Sequence, residues 1–394
     1  MDQPRPPKVM IVAGESSGDH HGARLVRALA GMVPDAFVFG IGGRALEAAG
    51  VRLFAHARDL SVVGLTEIAG KLPEIVRALW TATEMLARMR PDVLILIDFP
   101  DFNFRVARAA KKLGIPVLYY ISPQVWAWRK GRVKTIRRLM DRMAVILPFE
   151  EAFYRERGVD ATYVGHPLAD EDEPGPEAPP ILSPGDPGPL VGLLPGSRSG
   201  EVFRHLPILL EAARLVGEKM PGVKFAIPLA PDISGEWIQG MMGEAAKSAP
   251  LPEIRLLPGG IRAVLTQSRM AVTVSGTVTL EAALAGLPMI IVYRMSGLSI
   301  LAAKALIRVD FIGLPNLIAG RLVAPELIQE DVNPKRISGM ILDWLGNPEK
   351  LAAIRRDMEQ VRKNLGGPGA SARAAALAVE LLGQNRELPG PPGA

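Results

Sequence analysis

An aspartate at the end of an apolar run is the strongest candidate for acid–base chemistry in this chain. The run Val93-Leu94-Ile95-Leu96-Ile97 is followed by Asp98-Phe99-Pro100-Asp101-Phe102-Asn103. A carboxylate at the carboxyl end of a buried parallel strand can act as a general base with a raised pKa. Alternatively, one aspartate caps the next helix, and Asp101 is well placed for that. Asp98 is therefore the predicted catalytic base.

A glycine-rich turn near the amino terminus has the composition of an anion-binding site. Ala13-Gly14-Glu15-Ser16-Ser17-Gly18-Asp19 follows the first apolar run. Glycines and small hydroxyl residues let backbone N–H groups approach an anion at a helix N-terminus. An ordinary strand-to-helix turn capped by serine or aspartate explains the same residues equally well.

Two turns in the second half of the chain suit a nucleotide. Leu194-Pro195-Gly196-Ser197-Arg198 ends one strand-like run, and an arginine after a glycine turn can bind pyrophosphate with two parallel hydrogen bonds. Ser275-Gly276-Thr277 ends another run and opens a helical stretch that contains Glu281. A helix N-terminus favours an anion, and a carboxylate one turn later can accept hydrogen bonds from ribose hydroxyls.

Residues 123–142 form a basic and aromatic run. It holds Trp126, Trp128 and seven basic residues against one acid, Asp141. Such a run can bind RNA, a phosphorylated ligand or lipid headgroups. A solvated helix face is an equally weighted alternative. The basic residues are Arg129, Lys130, Arg132, Lys134, Arg137, Arg138 and Arg142.

Apolar residues recur at helical spacing between residues 65 and 79. Gly70 and Pro73 within this stretch predict a break into two short elements. Most stripes of this kind face a core, and an exposed patch for acyl chains is the less common interpretation. The spaced residues are Leu65, Ile68, Leu72, Ile75 and Leu79.

Three further patterns carry little weight. Gly40-Ile41-Gly42-Gly43-Arg44-Ala45 matches a dinucleotide-binding pattern, but it follows the second predicted strand and lacks the acidic residue expected after it. Asp170-Glu171-Asp172 has a metal-binding spacing but lies in an acidic, proline-rich stretch. His20 and His21 are adjacent, so on a helix they point in different directions. We therefore predict neither an NAD(P) site nor a metal site.

The composition predicts a globular protein without thiol chemistry. Of the 394 residues, 48% are hydrophobic and 22% charged, which is ordinary for globular chains. The net charge of +5 permits an anionic partner without requiring nucleic acid. Because cysteine is absent, disulfides, thiolate nucleophiles and cysteine-bound metals are excluded. No apolar stretch is long enough for a signal peptide or a membrane span.

Strand-like and helical stretches alternate in both halves of the chain, which predicts an α/β fold. Eight prolines fall within residues 167–189, which predicts a linker. The expected domains are 1–166 and 190–345, two doubly wound Rossmann-like domains facing a central cleft, followed by helices in 346–394. Asn347-Pro348 predicts a helix start, and Ser371 is predicted to cap the final helix. Strand candidates are 8–14, 37–41, 92–98, 116–121, 143–148, 161–164, 190–194, 224–229, 254–257, 270–274 and 289–293.

In order and spacing, these motifs resemble the lipid-A-disaccharide synthase family over about residues 8–345. The stretch Ser122-Pro123-Gln124-Val125-Trp126-Ala127-Trp128 is the most specific, whereas the glycine turns are not specific by themselves. The resemblance also rests on Leu147-Pro148-Phe149-Glu150, Val164-Gly165-His166-Pro167 and Leu314-Pro315-Asn316-Leu317.

The resemblance implies an inverting GT-B glycosyltransferase without a metal or redox cofactor. It would transfer the sugar of UDP-2,3-diacylglucosamine to 2,3-diacylglucosamine 1-phosphate, releasing UDP and a β(1→6)-linked disaccharide phosphate of lipid A synthesis. The lipid substrates imply a peripheral position on the cytoplasmic face of the inner membrane. The resemblance leaves two alternatives open for the helices in 346–394, which either pack back on the first domain, as in GT-B folds, or exchange between the subunits of a homodimer. No nucleic acid partner is implied.

Residue by residue, the resemblance makes Asp98 the base that deprotonates the acceptor 6-hydroxyl. Leu65, Ile68 and Leu72 fall in the family's apolar, acyl-facing region. On the nucleotide side it matches Arg198, Ser275, Gly276, Thr277, Glu281 and Asn316. The predicted substrate-binding residues are Gly14, Glu15, Ser17, Gly18, Asp19, Trp126 and Arg129. His20 and His21 depart from the apolar residues common there.

Two other functions stay open on the sequence alone. A UDP-sugar 2-epimerase can share the two-domain fold, but it needs acid–base residues around C2 of the donor and no lipid acceptor. A UDP-lipid-binding protein without catalysis is the third possibility, against which Asp98 at a strand end argues. The apolar stretch and the basic run favour the transferase over the epimerase.

Overall fold

A computed structural model of the chain describes residues 5–57, 68–128, 130–171, 179–183, 185–186, 188–295 and 310–387. The chain divides into two compact units, one formed by Met1–Asp172 with Gly367–Ala394 and the other by Glu173–Gly366. Each unit contains one sheet of parallel strands.

The first unit has a seven-stranded sheet in the order β3-β2-β1-β4-β5-β6-β7. The strands are β1 (Lys8–Ala13), β2 (Phe37–Gly42), β3 (Arg52–His56), β4 (Val93–Ile97), β5 (Val117–Tyr120), β6 (Arg142–Val145) and β7 (Ala161–Tyr163). The helices up to residue 155 are α1 (Ser16–Met32), α2 (Arg44–Ala48), α3 (Ile68–Met89), α4 (Pro100–Lys112), α5 (Val125–Trp128), α6 (Val133–Leu139) and α7 (Pro148–Arg155). Short 3-10 turns lie at Lys130–Arg132 and Pro167–Glu171.

Both faces of this sheet are buried, which explains why its central strands are apolar throughout. In β1, Met10 and Val12 belong to one hydrophobic cluster, whereas Val9 and Ile11 belong to a second. Successive side chains of a strand point to opposite faces, so the two clusters cover the two sides of the sheet. The continuous run Val93–Ile97 obeys the same rule, as expected for parallel strands covered by helices.

The second unit has a six-stranded sheet in the order β10-β9-β8-β11-β12-β13. Its strands are β8 (Leu190–Leu194), β9 (Lys224–Leu229), β10 (Ile254–Pro258), β11 (Met270–Val274), β12 (Met289–Tyr293) and β13 (Glu326–Ile328). Its described helices of four or more residues are α8 (Ser199–Lys219), α9 (Gly235–Ser248), α10 (Ile261–Gln267), α11 (Thr277–Leu284), α12 (Leu314–Ala319), α13 (Pro334–Gly346) and α14 (Pro348–Asn364). As predicted, Asn347 caps α14, accepting a hydrogen bond from the Lys350 N–H at 3.1 Å.

The last helix, α15 (Ala370–Glu387), packs against α1 of its own chain and belongs to the first unit. Its N-terminus is capped by Asp170, whose carboxylate accepts the N–H groups of Gly369, Ala370 and Ser371 at 2.6–2.9 Å. Ser371 was the predicted cap, and it is instead a donor in the first turn. Because Asp170 and the 3-10 turn around it serve the first unit, the predicted linker 167–189 begins later than expected.

The predicted break at Gly70 and Pro73 is wrong, because α3 runs without interruption through both residues. Pro73 lies only five residues after the start of α3, so its missing N–H leaves one carbonyl near the helix end without a donor. Among the described residues, no helix combines the length and the hydrophobicity needed to cross a bilayer.

Candidate active site

The strand order of the first unit reverses between β1 and β4, and the predicted catalytic residues lie at this point. Ala13 and Ile97 are paired neighbours at the carboxyl ends of the two strands. Ligands bind at such switch points in doubly wound sheets. The next residues, Gly14-Glu15 and Asp98-Phe99, therefore meet. A Cβ atom on Gly14 would lie 2.3 Å from the Phe99 ring, so the two turns are in direct contact.

Asp98 has the environment of a general base that works near neutral pH. Two effects raise the pKa of its carboxyl to about 6, of which burial is the larger and the negative charge of Glu15 the smaller. A hydrogen bond from the Phe99 N–H acts in the opposite direction and lowers this pKa. A base is most effective when its pKa lies close to the operating pH. The helix-cap alternative is not supported, because α4 has no side-chain cap. Asp101 is instead 70% exposed and pairs with Arg132 at 2.6 Å.

The glycine-rich turn splits into an exposed and a buried part. Glu15 and Ser17 are exposed at the carboxyl edge of the sheet. Gly18 faces the sheet, since a Cβ there would make ordinary contacts with Ile97 and Ala13 at 3.5–3.6 Å. Gly18 thus packs against the sheet and its predicted substrate contact stays a prediction, whereas Glu15 and Ser17 are exposed to a ligand.

Asp19 is buried and serves the protein's own backbone. Its carboxylate accepts the N–H groups of Gly43, Ala45 and Leu46 at 2.6, 3.0 and 3.1 Å. It thereby fills the N-terminus of α2, where the pyrophosphate would lie if the glycine pattern at 40–45 bound a dinucleotide. The Asp19 carboxylate therefore has a structural role, its predicted substrate contact stays a prediction, and the NAD(P) interpretation loses its anion site.

Trp126 is anchored within the first unit and is not free to bind substrate through its N–H. The side chain is buried, and its Nε1 donates to Glu150 Oε1 at 3.0 Å. The other Glu150 oxygen accepts the N–H groups of Ile146 and Leu147. Burial raises the pKa of Glu150 to about 7, against these hydrogen bonds. Trp126 thus supports α5 and its predicted substrate contact stays a prediction, while Arg129 after it lies outside the described residues.

Within the second unit, the predicted nucleotide residues lie at the equivalent switch point, where β8 and β11 are neighbours. Arg198 follows β8, and its side chain is 77% exposed with an ion pair to Glu201 at 3.5 Å. Gly276 and Thr277 follow β11 and are exposed at the start of α11, where Glu281 is half-buried. The Ser275 hydroxyl donates to the Ile312 carbonyl at 2.9 Å.

Glu201 organises the Arg198 turn and was not found from the sequence. One of its carboxylate oxygens accepts hydrogen bonds from the N–H groups of Ser197 and Arg198. The main-chain carbonyl of Glu201 forms a hydrogen bond with His205 Nδ1 at 2.8 Å. His205 Nε2 accepts the N–H of Arg294, just after β12. A glutamate at the third position of a helix is a known capping signal, so the spacing of Arg198 and Glu201 could have indicated this role.

Asn316 is buried, and its side-chain amide forms hydrogen bonds only to other residues of the second unit. Its Nδ2 donates to the Ala324 carbonyl and to Glu326, both at 2.7 Å. Its Oδ1 accepts the N–H groups of Val323 and Ala324 at 2.7 and 2.8 Å. All four hydrogen-bonding positions of an asparagine side chain are then occupied. The Asn316 side chain thus links α12 to β13, and a nucleotide contact of this residue stays a prediction.

The predicted acyl patch lies only partly within the described structure. Leu65 lies outside the described residues, and Ile68 and Leu72 belong to the first turns of α3. Further along α3, Ile75 and Leu79 pack against the core. Val76 and Trp80 are 57% and 64% exposed, so α3 presents large apolar side chains to solvent one turn apart.

The buried His166, just after β7, interacts electrostatically with the partly buried His21 of α1. Burial is the main cause that lowers the pKa of His21 to about 4 and that of His166 to about 3. Repulsion between each protonated imidazole and nearby cationic groups lowers both pKa values further. Around His21 these cations are Arg24 and His20, with Asp170 opposing the shift. His166 Nδ1 accepts the Leu168 N–H at 3.2 Å, so the unprotonated ring is part of the fold. In the described part of the chain, no cluster of three metal-binding side chains is found.

The raised pKa values of Asp98 and Glu150 stabilise the folded chain as the pH falls below 7, whereas His21 and His166 act in the opposite direction and destabilise it below pH 6.5. The two histidines take up protons near pH 6.5 in the unfolded chain but not in the folded chain. Each histidine then removes about 1.4 kcal/mol of unfolding free energy per pH unit. Urea denaturation of the wild type and of His166→Asn at pH 7, 6 and 5 isolates the contribution of His166, because the two carboxyl groups contribute equally to both proteins. His166→Asn keeps an acceptor for Leu168 and should gain about 1.4 kcal/mol per pH unit relative to the wild type below pH 6. A stability difference that does not change with pH would contradict the assignment.

Comparison with known proteins identifies the family. The family model described as lipid-A-disaccharide synthetase matches residues 9–381. The chain belongs to the lipid-A-disaccharide synthetase family. A lipid-A-disaccharide synthase from Syntrophus aciditrophicus is 49% identical over 377 residues, covering 95% of this chain and 97% of the relative. The resemblance inferred from the motifs is confirmed, and the chain is a transferase of this family.

Solved structures show the same architecture at low sequence identity. A UDP-N-acetylglucosamine 2-epimerase has a TM-score of 0.62 and 13% identity, covering 99% of this chain and 100% of that chain. CalG4, the calicheamicin glycosyltransferase, has a TM-score of 0.57 and 17% identity, covering 97% of this chain and 99% of that chain. These likenesses confirm the predicted GT-B type of fold and do not favour the epimerase, because the family match is to the synthase.

Proposed function

We propose that this chain transfers the sugar of UDP-2,3-diacylglucosamine to the 6-hydroxyl of 2,3-diacylglucosamine 1-phosphate. The observation that supports this most directly is the partly buried Asp98 carboxylate, which interacts with the charge of Glu15 at the switch point of the first sheet, in a chain of this family. Its pKa of about 6 leaves it ionised at neutral pH, yet basic enough to accept a proton.

In the proposed reaction, Asp98 takes the proton of the acceptor 6-hydroxyl. The acceptor oxygen then forms a bond to the anomeric carbon of the donor. The bond from that carbon to the β-phosphate oxygen breaks, and its electron pair leaves with UDP. Attack from the face opposite the leaving group inverts the anomeric centre, which gives the β(1→6) linkage.

The purified chain incubated with both diacylated sugars tests the proposal. We expect UDP and a disaccharide phosphate in equal amounts, and neither product when the acceptor is omitted. The two alternatives predict different results. An epimerase would change the donor sugar without acceptor, and a binding protein would bind donor without turnover. Either result would overturn the proposed function.

On the donor side, we propose that Arg198, Gly276, Thr277 and Glu281 bind the UDP moiety. An exposed guanidinium and a helix N-terminus at neighbouring strand ends suit the pyrophosphate, and a carboxylate suits the ribose. The Ser275 hydroxyl, bonded to Ile312, supports the same turn.

An Arg198→Ala variant is expected to raise the KM for UDP-diacylglucosamine at least about 10-fold. It loses charge-assisted hydrogen bonds to the pyrophosphate. Donor-dependence of the initial rate measures the change, and the KM for acceptor should stay within about twofold because only the donor carries UDP. Arg204→Ala on the same helix is the matched control. Equal donor KM values in all three proteins would exclude Arg198 from the nucleotide site.

We further propose that the chain works peripherally on the cytoplasmic face of the inner membrane, with α3 in contact with lipid. The exposed Val76 and Trp80 support a membrane-facing role for this helix. A Val76→Ser, Trp80→Ser double variant is expected to bind phosphatidylethanolamine–phosphatidylglycerol vesicles about 10-fold more weakly, since it loses apolar area that lipid would bury. Met32→Ser, an exposed apolar residue of α1, is the control. Equal flotation of both variants with vesicles would contradict the proposal.

A further inference from the structure

The turn that carries Asp98 has an unusual backbone. Asp98 and Phe99 have φ angles of 44° and 49°, so two consecutive non-glycine residues adopt the left-handed conformation. Such conformations are uncommon for residues with a Cβ atom, and they persist only where the surroundings impose them. Phe99 also precedes Pro100, a position that normally favours extended backbone. Something in the first unit must therefore hold this turn.

Two buried side chains hold it through the main-chain carbonyl of Asp98. The Tyr119 hydroxyl donates to this oxygen at 2.5 Å, and Asn103 Nδ2 donates to it at 2.7 Å. Asn103 Nδ2 also donates to the Ile97 carbonyl at 3.2 Å. The main-chain N–H of Asn103 donates to the Phe99 carbonyl at 3.1 Å. Asn103 thus bonds three consecutive carbonyls, and it comes from α4 while Tyr119 comes from the neighbouring β5.

Both donors are wholly buried, whereas the Asp98 side chain keeps partial access to solvent. The carbonyl of Asp98 is therefore fixed on the core side of the turn. With the carbonyl fixed there and φ held at 44°, the direction of the Cα–Cβ bond is fixed as well. This is the direction that sets the carboxylate beside Glu15. Without these two donors we expect the turn to relax and the carboxylate to move away from that position.

We propose that Asn103 and Tyr119 are positioning residues that set the Asp98 carboxylate for proton transfer by holding the carbonyl of the same residue. This inference rests on the proposed function, in which Asp98 is the base. Neither side chain touches substrate in this scheme. Their effect passes through the backbone of Asp98.

A Tyr119→Phe variant tests the role of the hydroxyl while keeping the ring in the core. We expect kcat to fall about 10-fold, because a displaced catalytic group loses much of its effect. The KM values for both sugars should change by less than about twofold, since no substrate contact is removed. In the wild type, kcat should fall on the acidic side with a midpoint near pH 6, the acidic limb of its pH profile. In Tyr119→Phe this limb should move to lower pH, because the Asp98 carboxylate leaves its position beside Glu15. Asn103→Ala should act in the same direction.

Tyr154→Phe is the matched control for loss of a buried hydroxyl. Its hydroxyl bonds Ser122 and the Pro123 carbonyl and does not touch Asp98. It should lower the melting temperature as Tyr119→Phe does, without moving the acidic limb. If both variants gave the same rate and the same pH profile, Tyr119 would have only a structural role and the proposal would be overturned.

The Asp98→Asn background separates positioning from stability. If Tyr119 acts through the Asp98 carboxylate, Tyr119→Phe should reduce the residual rate of Asp98→Asn by less than about twofold, because interacting sites are not additive. A further 10-fold loss in that background would overturn the proposal. A wild-type chain without acceptor-dependent turnover would instead refute the proposed function, and an active Asp98→Asn variant would refute Asp98 as the base.

Discussion

An Asp98→Asn variant is expected to lose at least about 100-fold of the acceptor-dependent turnover, the lower range for removal of a general base. Asparagine has nearly the same shape but cannot accept the proton of the acceptor hydroxyl. The loss should appear in kcat, with the KM for the UDP donor nearly unchanged, because the proton moves in the transition state and not on binding. Release of UDP measured at saturating donor and acceptor gives both constants.

The pH dependence gives a second test of the same residue. The pKa of Asp98 is about 6, and only the ionised carboxylate accepts a proton. The wild-type rate should therefore be level above about pH 7 and fall about tenfold per pH unit below pH 6. In Asp98→Asn this decrease of the rate below pH 6 should disappear. The fraction of folded protein must be measured at each pH, because protonation of His21 and His166 favours the unfolded chain at low pH.

Asp101→Asn is the matched control, since it makes the same chemical change three residues away. Asp101 is exposed and pairs with Arg132, and an exposed ion pair contributes at most about 1 kcal/mol to stability. Its turnover should stay within about twofold of the wild type. Equal losses in Asp98→Asn and Asp101→Asn would mean that the loop as a whole matters and that Asp98 is not the base.

Most of the fold could be predicted from the sequence, because buried parallel strands are continuous apolar runs. Val93–Ile97 and Met270–Val274 are clear examples. The strands that were missed, β3 and β13, are edge strands that each begin with a charged residue. β3 begins with Arg52 and ends with His56, and β13 is three residues long. An edge strand is covered on fewer sides, so its sequence carries a weaker pattern.

The candidate site was predictable in its location and less so in its individual residues. Asp98 follows from a carboxylate after a buried strand, and the structure adds a physical reason for its basicity. Asp19, Trp126 and Asn316 also belong to the family motifs, yet their polar atoms bind the protein's own groups. A motif cannot distinguish a side chain that binds a ligand from one that shapes the loop around it. Only the hydrogen-bond partners make that distinction.

The contact between Gly14 and Phe99 connects the glycine turn to the catalytic turn. A Cβ atom at position 14 would lie 2.3–2.8 Å from three atoms of the Phe99 ring. A Cβ atom does not approach a non-bonded carbon atom this closely, so the ring would have to move. Phe99 is held in a left-handed conformation directly after Asp98, and its ring packs against Phe102 with centroids 5.5 Å apart. A displaced Phe99 would therefore shift the backbone that carries the Asp98 carboxylate.

Gly14→Ala is consequently expected to lower kcat about 100-fold, the effect of moving a catalytic group by about 1 Å. Binding of UDP alone, measured by calorimetry, should be unchanged, because its proposed ligands are in the second unit. Gly18→Ala is the matched control in the same turn, since its added methyl group would meet Ile97 and Ala13 at ordinary contact distances. If Gly14→Ala were as active as Gly18→Ala, the Phe99 ring must yield without moving Asp98. The glycine would then be required for packing and not for the position of the base.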